Sequence, residues 1–337
     1  MKGSLFILGC FLSLQIHSQN QDSLIATILV DGARNYEEGR YDLALMEYNR
    51  ALAIDRKHAL ANYEIAMCYY SVGNDKSALS HANVASKDQS EVGIEATILV
   101  GGIIDHQGKS KKAMKTFKKG IDRFGDYFLL WYHYGISATA AGDFEEASIG
   151  YQKAMSSRLD HVDSHFALAR LMLSQDRLVE SIYPLMFFLM LEPRGDVSRA
   201  AVNSLNKALN GAQKITEVSN KRDKNRSFNF RMANLLLSAF ADARRLQEYS
   251  EMSELEIDAQ VLSRIFEFIE TSSSENDDSF YSNYYFPFFH QIAENGYLMT
   301  LLHYISQSVD EPSALWVEQN TEQIEKMFVF LDEIDVN

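Results

Sequence analysis

Residues 131–154 read WYHYGISATAAGDFEEASIGYQKA. Apolar and small residues stand at helical spacing on both sides of Gly142: Trp131, Tyr134 and Gly135 before it, Phe144, Ala147, Tyr151 and Ala154 after it. A glycine between two such stripes reads as the end of one helix before an antiparallel partner, because it accepts the left-handed backbone at that point. The arrangement recurs along the chain. Gly39, Gly73, Gly108 and Gly142 are spaced by 34, 35 and 34 residues, and Asp176 takes the next place. Five residues beyond each stand Ala44, Ala78, Ala113, Ala147 and Ser181, and nine beyond stand Tyr48, Ala82, Phe117, Tyr151 and Leu185. Twelve beyond are Ala51, Ala85, Gly120, Ala154 and Phe188; seven before are Gly32, Ala66, Gly101, Gly135 and Ala169.

Neither helix of such a pair can bury its stripe alone, so the pairs must stack. The small residues before and after the turn are expected to face each other, and the aromatic and the last small residue to pack on the following unit. In period and in this order of positions, the chain resembles the tetratricopeptide-repeat family over residues 25–195. The five units are 25–58, 59–93, 94–127, 128–161 and 162–195. Pro193 stands where the family's repeat-ending proline belongs; the first four copies lack it. The resemblance implies an all-α fold, a right-handed superhelical array of about five helix pairs followed by a smaller helical C-terminal module.

The resemblance also implies a binding role. In the family, the second, fifth, ninth and twelfth positions of each unit face a concave groove. Here those are Ala26, Leu29, Ala33 and Tyr36; Leu60, Tyr63, Met67 and Tyr70; Glu95, Ile98, Gly102 and Asp105; Leu129, Tyr132, Ile136 and Thr139; Asp163, Phe166, Arg170 and Leu173. The candidate partner-binding residues among them are Tyr36, Tyr63, Met67, Tyr70, Ile98, Tyr132, Ile136, Phe166 and Arg170. Tyrosine offers large contact area with few torsions to freeze, as binding surfaces favour. Family members that grip acidic tails use Lys with Asn or Arg in the groove, and only Arg170 could serve here. A groove covered by the chain's own C-terminal helices is the competing reading.

Composition agrees with long helices. Four prolines and 17 glycines in 337 residues are too few for the many turns of a sandwich or barrel. A formal charge of -14 repels nucleic acid and anionic membranes. From Glu251 onward 18 acidic residues face 2 basic ones, which separates the last part of the chain in character from the rest. Residues 1–18 read as a secretory leader, with Lys2, the apolar run Leu5 to Leu14 and a cut after Ser18; the run is too short for a spanning helix of about 20 residues. A lipid anchor at Cys10 is the weaker reading, because so short an apolar run precedes it. The leader followed by Gln19-Asn20 has the style of exported envelope proteins of Gram-negative bacteria, which points to the periplasm, the outer membrane or secretion. Without Cys10 only Cys68 remains, a residue expected to be buried and inert.

After the array, residues 196–227 read as a capping helix and a basic linker (Lys214, Lys221, Arg222, Lys224, Arg226), and 228–337 as an acidic, aromatic-rich module. Helices are expected at Phe230–Phe240, Ile257–Ile269, Ile292–Gln307 and Ser313–Asp332, with a polar loop at Thr271–Asp278. The aromatic run Phe280 to Phe289 reads first as the core of that module and second as a docking face. No phosphate-cradling glycine loop, His-Glu-x-x-His or Gly-x-Ser-x-Gly occurs, so the chain reads as a non-enzyme without cofactor or metal. His161 and His165, four apart, are the nearest thing to a metal pair and otherwise read as surface histidines. The functional expectation is an exported scaffold for a protein or peptide partner. The alternative is a structural or assembly component of an envelope complex, acting through self-association or through its C-terminal module.

Overall fold

A computed structural model describes residues 4–210, 228–244, 249–272 and 280–334, with the side chains of 4–20 and 228–229 left out. The leader's side chains, the basic stretch from Lys214 to Arg226 and all but the first two residues of the expected polar loop therefore lie outside the description. Among the described residues every regular element is helical, and no helix is long and apolar enough to cross a membrane. The chain divides into two units, Met1–Asp143 and Phe144–Asn337.

The first unit holds α1 (Ser4–Glu37), α2 (Tyr41–Ile54), α3 (Ala59–Ser71), α4 (Asp75–Ala85), α5 (Glu91–His106), α6 (Ser110–Phe124) and α7 (Phe128–Ala140). The turn after each leading helix falls on the glycine that the period singled out. Gly39, Gly73, Gly108 and Gly142 have φ of 72°, 75°, 72° and 74°, where only glycine is unstrained. At the first turn, the Gly39 N–H donates to Tyr36 O at 2.9 Å and the Arg40 N–H to Asn35 O at 2.8 Å, which satisfies two orphan carbonyls of α1. Asp176, next in the series, takes the same conformation at φ 56°.

Packing within a pair differs from the expectation in one respect. The space left by the small residue before the turn is filled by the aromatic of the second helix. A Cβ on Gly32 would stand 2.4 Å from the Tyr48 ring, and one on Gly101 2.2 Å from the Phe117 ring. The ring is broad enough to reach both its own partner helix and the next unit: Tyr48 also packs with Ile65 and Cys68, and Ala51 with Ala61.

The second unit holds α8 (Phe144–Ser157), α9 (Val162–Ser174), α10 (Leu178–Leu191), α11 (Asp196–Asn210), α12 (Phe228–Ala243), α13 (Glu254–Ser272), a π-helical turn (Tyr281–Tyr285), α14 (Phe286–Glu294), α15 (Leu298–Ser306), α16 (Glu311–Gln319) and α17 (Thr321–Glu333). Its centre is α10, which touches α9, α11, α12 and α15 and is buried at every residue from Val179 to Met190. A helix apolar on all sides must be covered on all sides. The aromatic run supplies much of that cover: Tyr285 and Phe289 are fully buried, and Tyr183 and Phe187 of α10 pack among them. It is a core, but one shared with α10 of the repeat region, where its first reading had it as the core of the C-terminal module alone.

Two expected helices prove to be four. Ile292–Gln307 breaks at Gly296, whose φ of 74° repeats the turn of the array, so α14 ends before α15 begins. Ser313–Asp332 breaks at Asn320, which leaves the helical region at φ -121°, ψ 36°. Apolar spacing runs through both breaks, so periodicity alone did not show them.

Candidate functional site

In the first unit the leading helices of successive pairs touch: α1 meets α3, α3 meets α5, and α5 meets α7. Seven of the candidate positions stand on these leading helices. Tyr36, Tyr63, Met67, Ile98, Tyr132 and Ile136 are half-buried and Tyr70 is exposed; none is buried. Neighbouring turns are tied together by the Tyr36 hydroxyl, 2.9 Å from Ser71 Oγ. Tyr63 lies between carboxylates. Burial, then Glu95 and Glu64, push its phenol up to about 12. Burial also raises Glu95 and Glu64, and Glu64 is partly held by the Tyr48 hydroxyl at 3.4 Å. Asp105, at the last groove position of α5, has one carboxylate oxygen shielded from water without a hydrogen-bond partner among the described residues.

The two remaining candidates belong to the second unit. Phe166 on α9 is half-buried and stacks on Phe188 of α10 with ring centroids 4.7 Å apart. Arg170, exposed, lies over the Phe166 ring at 5.8 Å. Part of this register is thus taken up by the chain's own packing.

These helix pairs have the tetratricopeptide fold. No protein-family model and no curated protein matches the sequence. Among solved structures the chain is similar to PilW, a widely conserved type IV pilus biogenesis factor, at 16% identity and TM-score 0.47, covering 71% of this chain and 98% of that one. It is also similar to pilF of Pseudomonas aeruginosa (14% identity, TM-score 0.45, 56% and 90% covered). A third is a thermophilic TPR protein of Thermus thermophilus (22% identity, TM-score 0.43, 54% and 98% covered). The repeat assignment stands on this chain's own turns and packing.

Other expected sites resolve differently. His161 precedes α9 and lies 2.7 Å from Ser164 Oγ through Nδ1. His165 is not a surface residue; it is fully buried, because its ring stacks on Phe187 at 4.3 Å beneath Tyr285. Both its nitrogens are engaged, Nε2 with Leu159 O at 2.6 Å and Nδ1 with the Tyr285 hydroxyl at 2.7 Å, so it has no lone pair left for a metal shared with His161. Cys68 is buried, and burial followed by Glu64 pushes its thiol up to about 12, away from thiolate chemistry.

A hydrogen-bond network about α10 stands apart from every expected site. Pro184 lies inside this helix and has no N–H for the carbonyl of Glu180, four residues earlier. The Tyr281 hydroxyl donates to that carbonyl at 2.7 Å. At the start of α10, Asn234 Oδ1 accepts from the N–H groups of Leu178 and Val179 at 3.1 and 3.3 Å, while its Nδ2 donates to Glu180 Oε2 at 3.2 Å. A proline in an apolar helix was the available signal.

Proposed function

We propose that the chain is an exported scaffold that holds a segment of another protein on the face shared by α1, α3, α5 and α7. The observation that supports this is the exposure pattern: Tyr36, Tyr63, Met67, Tyr70, Ile98, Tyr132 and Ile136 all keep solvent-accessible area, while the small residues seven before each turn, Gly32, Ala66, Gly101 and Gly135, are buried. Large apolar side chains left accessible along one face favour a partner. Glu95, Glu64 and the unmet oxygen of Asp105 favour a segment that brings donors, with a basic residue among apolar ones, over an acidic tail. Phe166 and Arg170 continue the same register on α9. Export rests on the leader, and the five-unit division 25–195 on the period.

The test is a photo-crosslinking amino acid at Tyr70, with the same group at Met46 on α2 as control, in the native cell. One discrete crosslinked protein at position 70 only, lost when Tyr63→Ala and Tyr132→Ala are added to a still-helical chain, is the expected result. Identical products from both positions would overturn the reading and move attention to self-association.

A further inference from the structure

In the second unit, residues of α10, α13, the π-helical turn and α14 line a partly open pocket of about 200 Å³. Its walls include Tyr183, Phe266, Phe286 and Pro287, and its polar groups include Glu270 and His290. Tyr183 is buried, yet its hydroxyl has no hydrogen-bond partner among the described residues. A buried hydroxyl without a partner is a standing cost, and a cavity beside it is where a partner could come from. Tyr183 packs against Phe266 and Phe286 with ring centroids 5.4 and 5.2 Å away, so the surroundings are aromatic. The polar side is acidic. His290 Nε2 lies 2.7 Å from Glu270 Oε2 and 3.2 Å from Glu294 Oε1, and the side chain of Glu270 is 52% exposed. The imidazole steadies Glu270 from one oxygen and leaves the other for an incoming cation.

We propose that this cavity binds a small aromatic amine: a ring bearing a hydroxyl or N–H that meets Tyr183, on a short arm whose ammonium meets Glu270. The size agrees, since a dry cavity of about 150 Å³ takes a benzene-sized ring. The site is independent of the face on α1, α3, α5 and α7. The same chemistry could reach it as a free amine or as an N-terminal tyrosine of a peptide.

The experiment is titration calorimetry with ligand-observed NMR on the full chain, using tyramine, phenethylamine, phenylpropionate and the tripeptide Tyr-Gly-Gly. Tyramine is expected to bind saturably at one site, about fivefold tighter than phenethylamine, since one added hydrogen bond is worth about that factor. Tyr183→Phe should abolish that preference without weakening phenethylamine; a merely structural hydroxyl would leave the ratio unchanged. Glu270→Gln, at an accessible carboxylate, should weaken both amines roughly two- to fivefold. Tighter binding of Tyr-Gly-Gly than of tyramine would assign the site to a peptide terminus, and the reverse to a free amine. Absence of saturable binding by both, equal binding of phenylpropionate, or an unchanged tyramine preference in a folded Tyr183→Phe chain would overturn the proposal.

Discussion

His165 shows how burial and hydrogen bonding decide one side chain's chemistry. Its Nε2 must donate, because the Leu159 carbonyl can only accept; a neutral ring then leaves Nδ1 as acceptor, and the Tyr285 hydroxyl donates to it. Burial is the largest influence and lowers the pKa to about 4, against the bond to Leu159, which raises it. The folded value is depressed below the unfolded one, about 6.5. The neutral ring's stability is therefore fully present above about pH 6.5 and lost as pH falls toward 4, because the unfolded chain takes up the proton first. The loss is on the order of 3 kcal/mol. Urea unfolding at pH 7 and pH 4.5 should show a drop in midpoint that His165→Gln removes in large part; an equal drop in both proteins would refer the acid sensitivity to the carboxylates. In the sequence only the position of this residue could be read. The partner that fixes its tautomer is 120 residues away, and no local pattern announces it.

At the scale of the helix, what could be read depended on whether the signal was local. The turns at Gly39, Gly73, Gly108 and Gly142 were, because glycine takes the left-handed backbone without strain, though Asp176 shows that the turn does not demand it. So were the stripes of the array. The candidate register on the leading helices came from the family positions, which include Glu95 and Asp105; Glu64 lies outside them and was not read. The breaks at Gly296 and Asn320 and the central place of α10 were not read, although Ser181-Ile182-Tyr183-Pro184-Leu185-Met186-Phe187-Phe188 carries no polar face. Proline inside α10 makes a specific prediction. Tyr281→Phe removes the donor to the Glu180 carbonyl and should destabilise by about 1–2 kcal/mol. In a Pro184→Ala background the alanine N–H can serve that carbonyl, and the same change should cost less than half as much. A double-mutant cycle by urea unfolding checks the coupling; strict additivity would mean that the tyrosine acts through its ring alone.

For the whole molecule, the question is whether residues after Asn210 are an appendage or part of the fold of what precedes them. Tyr183 packs against Phe266, Tyr281, Phe286 and Phe289, and Phe187 against Tyr285, Phe288 and Phe289. Asn234 caps the first N–H groups of α10, and Tyr281 serves the carbonyl that Pro184 abandons. Uncovering two such aromatic side chains costs roughly 2–3 kcal/mol each, and losing the two polar contacts about 1 kcal/mol each. The sum is comparable to the whole stability of an ordinary domain, about 5–15 kcal/mol. A chain ending at Asn210 should therefore lose the helicity of α8–α11 and bind an apolar dye such as ANS, while the full chain does not. Far-UV circular dichroism of the two chains, with dye fluorescence alongside, makes the comparison. Retention in the shortened chain of all the helicity expected for α1–α11, without dye binding, would show the repeats to be self-sufficient. The acidic, aromatic-rich C-terminal part would then be a separate module, where the packing about α10 makes it the missing half of a core.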